Sequence, residues 1–322
     1  MRNALALLAT LAAVTVPLIA PGYAVYVVTL GLIFGVAAVG LNLLTGQTGQ
    51  VSIGHAGFMG IGAYASALLS LRLGWPLVAS IPLAGLAAAV VGFALGVPAL
   101  RLSGPYLAVA TLGFGTFVSQ LLVKWESLTG GYMGLKPPRL SWAPGLPEDW
   151  QLYYATLAAL GALGWLALRV ERGRLGRAMA AVRDAEWVAE ASGIDPVRVK
   201  LLAFGLSAGY AGLAGALQAH VVGFISPSDF SLHTSIFLLS AVVIGGLASV
   251  PGAVTGAVVL TVGFQALSGV RDLRTVIYGA AMVLAVMFFP GGLWRLRLTL
   301  AGLSGRKAVV LPPKEGVRVG DS

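Results

Sequence analysis

Cysteine is absent from this 322-residue chain, which excludes disulfides, thiolate metal sites and thiol redox chemistry and leaves the compartment undetermined by cysteine usage. Histidine is scarce too: His55, His220 and His233 stand far apart and offer no ligand spacing of the His-Glu-x-x-His kind. Charged residues make up 10% of the chain, against about 25% in a globular protein. The long apolar runs hold almost no Asp, Glu, Lys or Arg, which disfavours a proton- or ion-coupled carrier, since such proteins bury a charged relay in the membrane. No nucleophile has a base beside it, no carboxylates pair, and no Walker loop is present to cradle a phosphate. The chain therefore lacks catalytic and metal-binding residues, and any ATP that drives it must be held by another chain.

What is present in their place is hydrophobic sequence: 57% of residues, with a mean hydropathy of +0.88. This predicts an all-α integral membrane protein. The net charge of +9 would suggest nucleic acid in a soluble domain. Here much of the excess flanks membrane segments, as the orientation rule requires. The run Ala4–Ala20 reads as an uncleaved first membrane helix rather than a signal peptide. Further spans are expected at Ala24–Leu44, Val51–Leu71, Leu77–Pro98, Pro105–Val123, Leu152–Leu168, Val197–Val222, Thr234–Ala248, Gly252–Val270 and Val276–Phe289. That makes about ten crossings.

The distribution of basic residues supplies a topology. Arg169–Lys200 carries seven of them, whereas Lys124–Trp150 balances three basic against three acidic residues. Ten spans put both termini and Arg169–Lys200 in the cytoplasm and Lys124–Trp150 outside. Arg271-Asp272-Leu273-Arg274 is the exception, because the same count leaves it outside.

Glycine is abundant, at 44 residues, and pairs such as Gly31/Gly35, Gly92/Gly96 and Gly212/Gly215 have the spacing at which helix backbones approach closely. Thr45–Gly62 and Gly245–Gly256 are too glycine-rich for uninterrupted helix, and each is expected to form a broken helix or re-entrant loop. Such backbone survives at membrane depth only inside protein or along a watery cavity, which makes it a mark of a transport path. Asn42, Gln47, Gln50, Ser52 and His55 gather at the first of these stretches and are the candidate path residues, although a histidine bonded to nearby backbone would explain His55 equally. Thr116, Ser119 and Gln120 form a second polar group, for which helix-to-helix bonding is sufficient. Thr129-Gly130-Gly131 and Ser226–His233 read as external turns, with Asp229 able to cap the helix that follows.

The long polar segment Arg169–Lys200 is the centre of the chain's organisation. Arg177–Ser192 predicts a helix of about four turns with Arg183, Glu186 and Glu190 on one face and Ala178, Ala181, Val182, Ala185, Val188 and Ala189 opposite. Arg183 and Glu186 are placed to pair. Gly193 supplies a stop, and Asp195-Pro196 supplies an N-cap and first turn for a new helix.

Several motifs in order resemble a known family. Gly40-Leu41-Asn42-Leu43-Leu44-Thr45-Gly46, Gly49–Ala56, Leu102–Ala108, Thr129-Gly130-Gly131, Gly176-Arg177-Ala178, Glu190–Ile194 and Lys200–Phe204 are similar to the LivM-type permease subunits of branched-chain amino acid ABC importers. The likeness runs from about Gly31 to Gly291. It implies a permease that works with a second, LivH-type permease, two cytoplasmic ATPases and an external amino-acid-binding protein. ATP and Mg would sit on the ATPases, and no cofactor on this chain. It also implies that a short cytoplasmic helix, here Arg183–Gly193, docks into a groove on an ATPase and transmits its closure. Arg177, Arg183, Glu186, Glu190 and Gly193 would then carry the coupling. The chain departs from the usual Glu-Ala-Ala signature, having Glu186-Trp187-Val188 and Ala189-Glu190-Ala191 before Gly193.

The expectation is a polytopic permease domain over residues 1–302, with a cytoplasmic tail over 303–322, in a bacterial or archaeal cell membrane. Leucine, isoleucine and valine are the implied cargo. A urea or short-amide permease of the same kind is the close alternative, and an ion-coupled secondary amino acid carrier the distant one.

Overall fold

The computed structural model describes residues 13–99, 102, 104–139, 145–266, 279 and 292. The N-terminal part of the first expected span, the span at 276–289 apart from Gly279, the charged group at 271–274 and the tail at 303–322 lie outside the described residues. Within them the chain is helical. The one strand-like feature is an isolated bridge between Leu135 and Ile225.

The helices are α1 (13–19), α2 (Gly22–Asn42), α3 (His55–Leu73), α4 (Leu77–Ala99), α5 (Pro105–Lys124), α6 (Glu126–Thr129), α7 (Glu148–Arg172), α8 (Arg174–Asp184), α9 (Glu186–Ala191), α10 (Pro196–Val222), α11 (Leu232–Gly245) and α12 (Val250–Ala266). Among the described residues six stretches are long and apolar enough to cross a membrane: Gly22–Gln47, His55–Leu73, Leu77–Ala99, Pro105–Lys124, Glu148–Arg172 and Pro196–Val222. α11 and α12 are shorter apolar helices. The protein is thus a multi-pass, all-helical membrane protein.

α2 and α10 form the centre of the bundle. Apolar or small residues occupy all sides of α2, so it can be surrounded by α7, α10, α11 and α12. α10 packs on α2, α3 and α4. Its start follows from local chemistry, because the Asp195 side chain accepts from the Arg198 N–H and Pro196 needs no partner at the first helical position. The helices approach to backbone contact. A Cβ on Gly62 of α3 would stand 2.1 Å from the Gly212 carbonyl oxygen of α10, and one on Gly215 of α10 would stand 1.9 Å from the Met59 carbonyl oxygen of α3. The glycine pairs singled out above serve this packing: Gly92 meets Ala208 and Phe204, Gly212 meets Ala88, and Gly31 meets Val258. The outward face of α4 (Val78, Leu83, Leu86, Val90, Phe93, Val97) is apolar, as lipid requires.

The helix expected over Arg177–Ser192 is two helices. Ala185 is extended (φ −162°, ψ 98°) and separates α8 from α9. The reason is tertiary: Arg183 bonds the Gly46 carbonyl and Asp184, while Glu186 pairs with Lys200, so the two residues expected to pair are drawn in different directions. The alanine face is also divided. Met179, Val182 and Ala189 are buried with Leu44, Val199, Ala203 and Phe204, whereas Val188 is exposed. Asp229 does not cap α11. It closes a capping box on Ser226 around the turn Pro227–Phe230, and Ser231 stands at the N-cap of α11. Thr129 is used in turn bonding, donating to the Leu122 carbonyl at 2.6 Å and accepting from the Gly131 N–H at 3.2 Å.

Candidate functional site: two helix breaks and a polar segment

The first break begins at Asn42. The helix opens into a π-helical turn, Leu43–Gln47, and leaves helical geometry before restarting at His55. Gly57, Gly60 and Gly62, expected within the irregular stretch, are inside α3. The turn is closed locally by Thr48 donating to the Leu44 carbonyl, Thr45 donating to the Gln50 carbonyl at 3.0 Å, and the Gln50 N–H reaching Leu44 at 3.2 Å. Gly49 has φ +73°, a conformation that glycine adopts without a steric penalty.

Donors released by the break are satisfied by neighbouring helices. The Ile53 N–H reaches Thr111 Oγ1 of α5 at 3.0 Å, and the Ala56 N–H reaches Ser235 Oγ of α11 at 3.0 Å. Ser235 lies in the first turn of α11, so the start of α3 is held against the start of α11. Most of this irregular backbone is buried in protein, as the absence of lipid hydrogen-bond partners demands, with Gly49 and Val51 left exposed. Thr111 and Ser235 were not singled out in the sequence, where each is one of several hydroxyls on an apolar helix.

All five candidate path residues are buried: Asn42, Ser52 and His55 completely, Gln47 and Gln50 nearly so. Among their side-chain atoms, Asn42 Nδ2, Gln50 Oε1, Ser52 Oγ and both His55 ring nitrogens lack a hydrogen-bond partner. The His55 ring faces the Ala37 carbonyl without completing a bond of normal geometry. The cluster thus holds unspent donors and acceptors at the break. The polar group of α5 is different: Thr116 donates to its own Leu112 carbonyl at 3.0 Å, and Thr116 and Gln120 are on the outer face, so the expected helix-to-helix bonding is not made.

The second break lies between Gly245 and Val250. Gly246 has φ +122° and Ala248 φ +59°, the only described non-glycine residue in that region. The two breaks meet. Asn42 Oδ1 accepts from the Ala248 N–H at 2.9 Å, and Gln47 Nε2 donates to the Ala248 carbonyl at 3.4 Å. Gly46 between them has no space for a side chain, since a Cβ would stand 2.4 Å from the Ala248 nitrogen.

Arg183, at the end of α8, reaches this junction and donates to the Gly46 carbonyl at 2.9 Å. The other coupling candidates lie elsewhere. Arg177 is exposed and bonds the Arg172 carbonyl at 3.1 Å, Glu186 takes Lys200 at 2.6 Å, and Glu190 projects from the exposed side of α9. Gly193, at φ +82° with open space around it, ends α9. Beside Glu186 and Glu190, the same short helix exposes Trp187 to 77% and Val188 to 43%. Trp187 was not singled out in the sequence, where its signal was an aromatic in an otherwise polar segment.

A further polar chain runs through α3, α4 and α10: Ser66 Oγ lies 2.8 Å from His220 Nε2 and 3.1 Å from Ser80 Oγ, and His220 Nδ1 is 2.8 Å from the Pro138 carbonyl. Among the described residues no group of His, Cys, Asp and Glu is placed to hold a metal ion.

The profile of the family described as branched-chain amino acid transport system, permease component, matches residues 23–286. The high-affinity branched-chain amino acid transport system permease protein LivM of Salmonella typhimurium is 35% identical over 87% of this chain and 72% of its own length. Its namesake in Escherichia coli is 36% identical over 83% and 69%. LivH of Escherichia coli, the permease protein of that name in a high-affinity branched-chain amino acid transport system, is 28% identical over 83% of this chain and 92% of its own length. No solved structure matches. With the family profile matched over most of the chain and multiple apolar helices among the described residues, the protein belongs to the branched-chain amino acid transport system permease-component family.

Proposed function

We propose that this chain is one of two permease subunits in an ATP-driven importer of leucine, isoleucine and valine. Its partner in the membrane is a LivH-type permease. Two cytoplasmic ATPases bind ATP and Mg, and an external binding protein delivers the amino acid. Residues 1–302 form the membrane domain with about ten crossings, the end of the bundle that holds Arg183 faces the cytoplasm with both termini, and 303–322 are a tail.

The observation that carries the coupling part of this reading is the exposed Trp187–Val188 pair on α9. An aromatic left in water on a six-residue helix is costly unless a partner covers it, and large aromatics in a fitted pocket are typical anchors of interfaces. α8 and α9 together supply the docking surface, and Gly193 and Asp195-Pro196 join it to α10 through a tight corner. The path is assigned to the buried polar cluster Asn42, Gln47, Gln50, Ser52 and His55 at the first break, with its unpartnered polar atoms as the groups that water or substrate meets when the breaks open.

The test is gentle-detergent purification of the tagged chain from its host, with mass spectrometry of what accompanies it. Two ATPases and a second permease are expected. The chain alone, carrying amino acid into liposomes without ATP, would refute the reading in favour of a secondary carrier.

A further inference from the structure

We infer that Arg183, Asn42 and Gln47 form a clamp that makes the two helix breaks move as one body with the end of α8, Arg183 being the positioning residue that links the coupling segment to the membrane helices. The inference rests on the importer reading above and adds to it the point at which force enters the bundle.

Three segments remote in sequence converge here, Arg183 lying 137 residues from Gly46 and Asn42 lying 206 from Ala248. Each side chain in the clamp engages a backbone group of another segment. Arg183 takes the Gly46 carbonyl, Asn42 the Ala248 N–H and Gln47 the Ala248 carbonyl. These are groups that the interruption of a helix leaves without an intrahelical partner, so losing the side chain leaves a backbone group unpaired at the break. Glu171 at the end of α7 lies against Gln47 and joins a fourth segment to the same point.

Packing prevents the pieces from sliding. A Cβ on Gly46 would stand 2.2 Å from Asn42 Oδ1 and 2.4 Å from the Ala248 nitrogen. The α11–α12 hairpin beyond is equally close, with a Cβ on Gly245 falling 2.0 Å from the Gly252 carbonyl oxygen and one on Gly256 2.1 Å from that of Ala241. The end of α2 therefore meets hairpin backbone at Ala248, and the hairpin behind it is itself closed backbone on backbone. Arg183 holds that junction at two points. Its guanidinium is on Gly46, its stem lies against Gly49, where a Cβ would be 2.9 Å from Arg183 Cγ, and the Asp184 carboxylate steadies Nε at 3.0 Å.

α9 has a weaker hold on the bundle, mainly through buried Ala189 and the Glu186–Lys200 pair. The segment thus divides its work: α9 presents Trp187 to a partner, and α8 transmits through Arg183. A displacement of α8 moves the Gly46 carbonyl, and with it Ala248 and both breaks.

This chain has no native cysteine, so a disulfide placed within it can be assigned to the introduced residues in the assembled complex. Arg183→Cys should leave assembly intact and lower amino acid uptake per ATP hydrolysed by about ten- to hundredfold, the range for losing a charge-assisted hydrogen bond. Arg183→Lys, which retains one charged donor, should keep most of the coupling. A Cβ at Gly49 would be 3.7 Å from Arg183 Cβ, within the usual disulfide range of about 3.5–4.5 Å, so the pair Gly49→Cys with Arg183→Cys can be closed by diamide, with Gly49→Cys alone as the reference for the strain a side chain meets at φ +73°. Closure should restore coupling and dithiothreitol should abolish it again. Coupling in Arg183→Cys equal to that of the unaltered chain, or a disulfide verified by mass spectrometry that restores nothing, would overturn the clamp. An unaltered chain that purifies without ATPases would overturn the importer reading itself, and the clamp with it.

Discussion

Replacing Gly62 by alanine tests the helix packing on which everything else rests. The added methyl carbon would stand 2.1 Å from the Gly212 carbonyl oxygen and 2.4 Å from its Cα. Ordinary contact begins near 3.5 Å, so α3 and α10 must part by roughly 1 Å at this point. Backbone lies on both sides, so no side chain can turn aside to relieve the clash. The separation also loosens the neighbouring contacts of Met59, Ala63, Ala211 and Ala214, all buried in the same core. Overpacking commonly costs about 1–3 kcal/mol, and this site belongs at the upper end. At about 2–4 °C per kcal/mol for a large domain, a cost near 3 kcal/mol lowers the apparent melting midpoint by roughly 6–12 °C. Gly161→Ala is the control, because a Cβ there meets nothing within 4 Å. Heating detergent-solubilised protein and measuring what remains monodisperse by size exclusion separates the two. If Gly62→Ala melts together with Gly161→Ala, the close crossing of α3 and α10 is wrong.

Trp187→Ala should leave membrane insertion intact and weaken ATPase association by roughly 2 kcal/mol, about thirtyfold, measured by titrating purified ATPase against the permease pair. Unchanged affinity would remove α9 as the docking helix. Ala248→Gly relieves a left-handed φ of +59° and should raise thermal stability by up to about 1 kcal/mol; a loss of stability would show that the methyl group packs rather than strains. Gly193→Val should reduce uptake through strain at φ +82°, since no neighbour crowds the site, so Gly193→Asn, which tolerates that conformation, should retain more activity than valine in the same uptake assay.

Some elements of the fold were readable because local chemistry decides them. Asp195 and Pro196 specify a helix start whatever surrounds them, and Gly193 specifies the stop before it. Glycine-rich sequence after Asn42 and after Ile244 had to interrupt helices, and it does, although the first interruption is shorter than composition suggested because Gly57, Gly60 and Gly62 are glycines of close packing. The division of Arg177–Ser192 at Ala185 had no local signal. Nothing within α8 or α9 shows that Arg183 is held by a carbonyl 137 residues away, or that Glu186 is held by Lys200 on α10.

The candidate site divides in the same way. Polar residues near a glycine-rich break in an apolar chain are visible as an anomaly, so Asn42, Gln47, Gln50, Ser52 and His55 could be selected without coordinates. Their roles could not, since Asn42 and Gln47 are engaged by Ala248 while Ser52 and His55 keep unpartnered atoms.

The sequence by itself determined the solvent of this protein, the position of most of its helices and the places where they break, because hydropathy, glycine content and capping act over a few residues. Only the tertiary structure decided that the two breaks meet at Ala248, that Arg183 reaches them and that Trp187 faces outward. Those facts depend on which backbone groups a helix interruption leaves unpaired and which distant side chain arrives to satisfy them, and no local pattern carries that information.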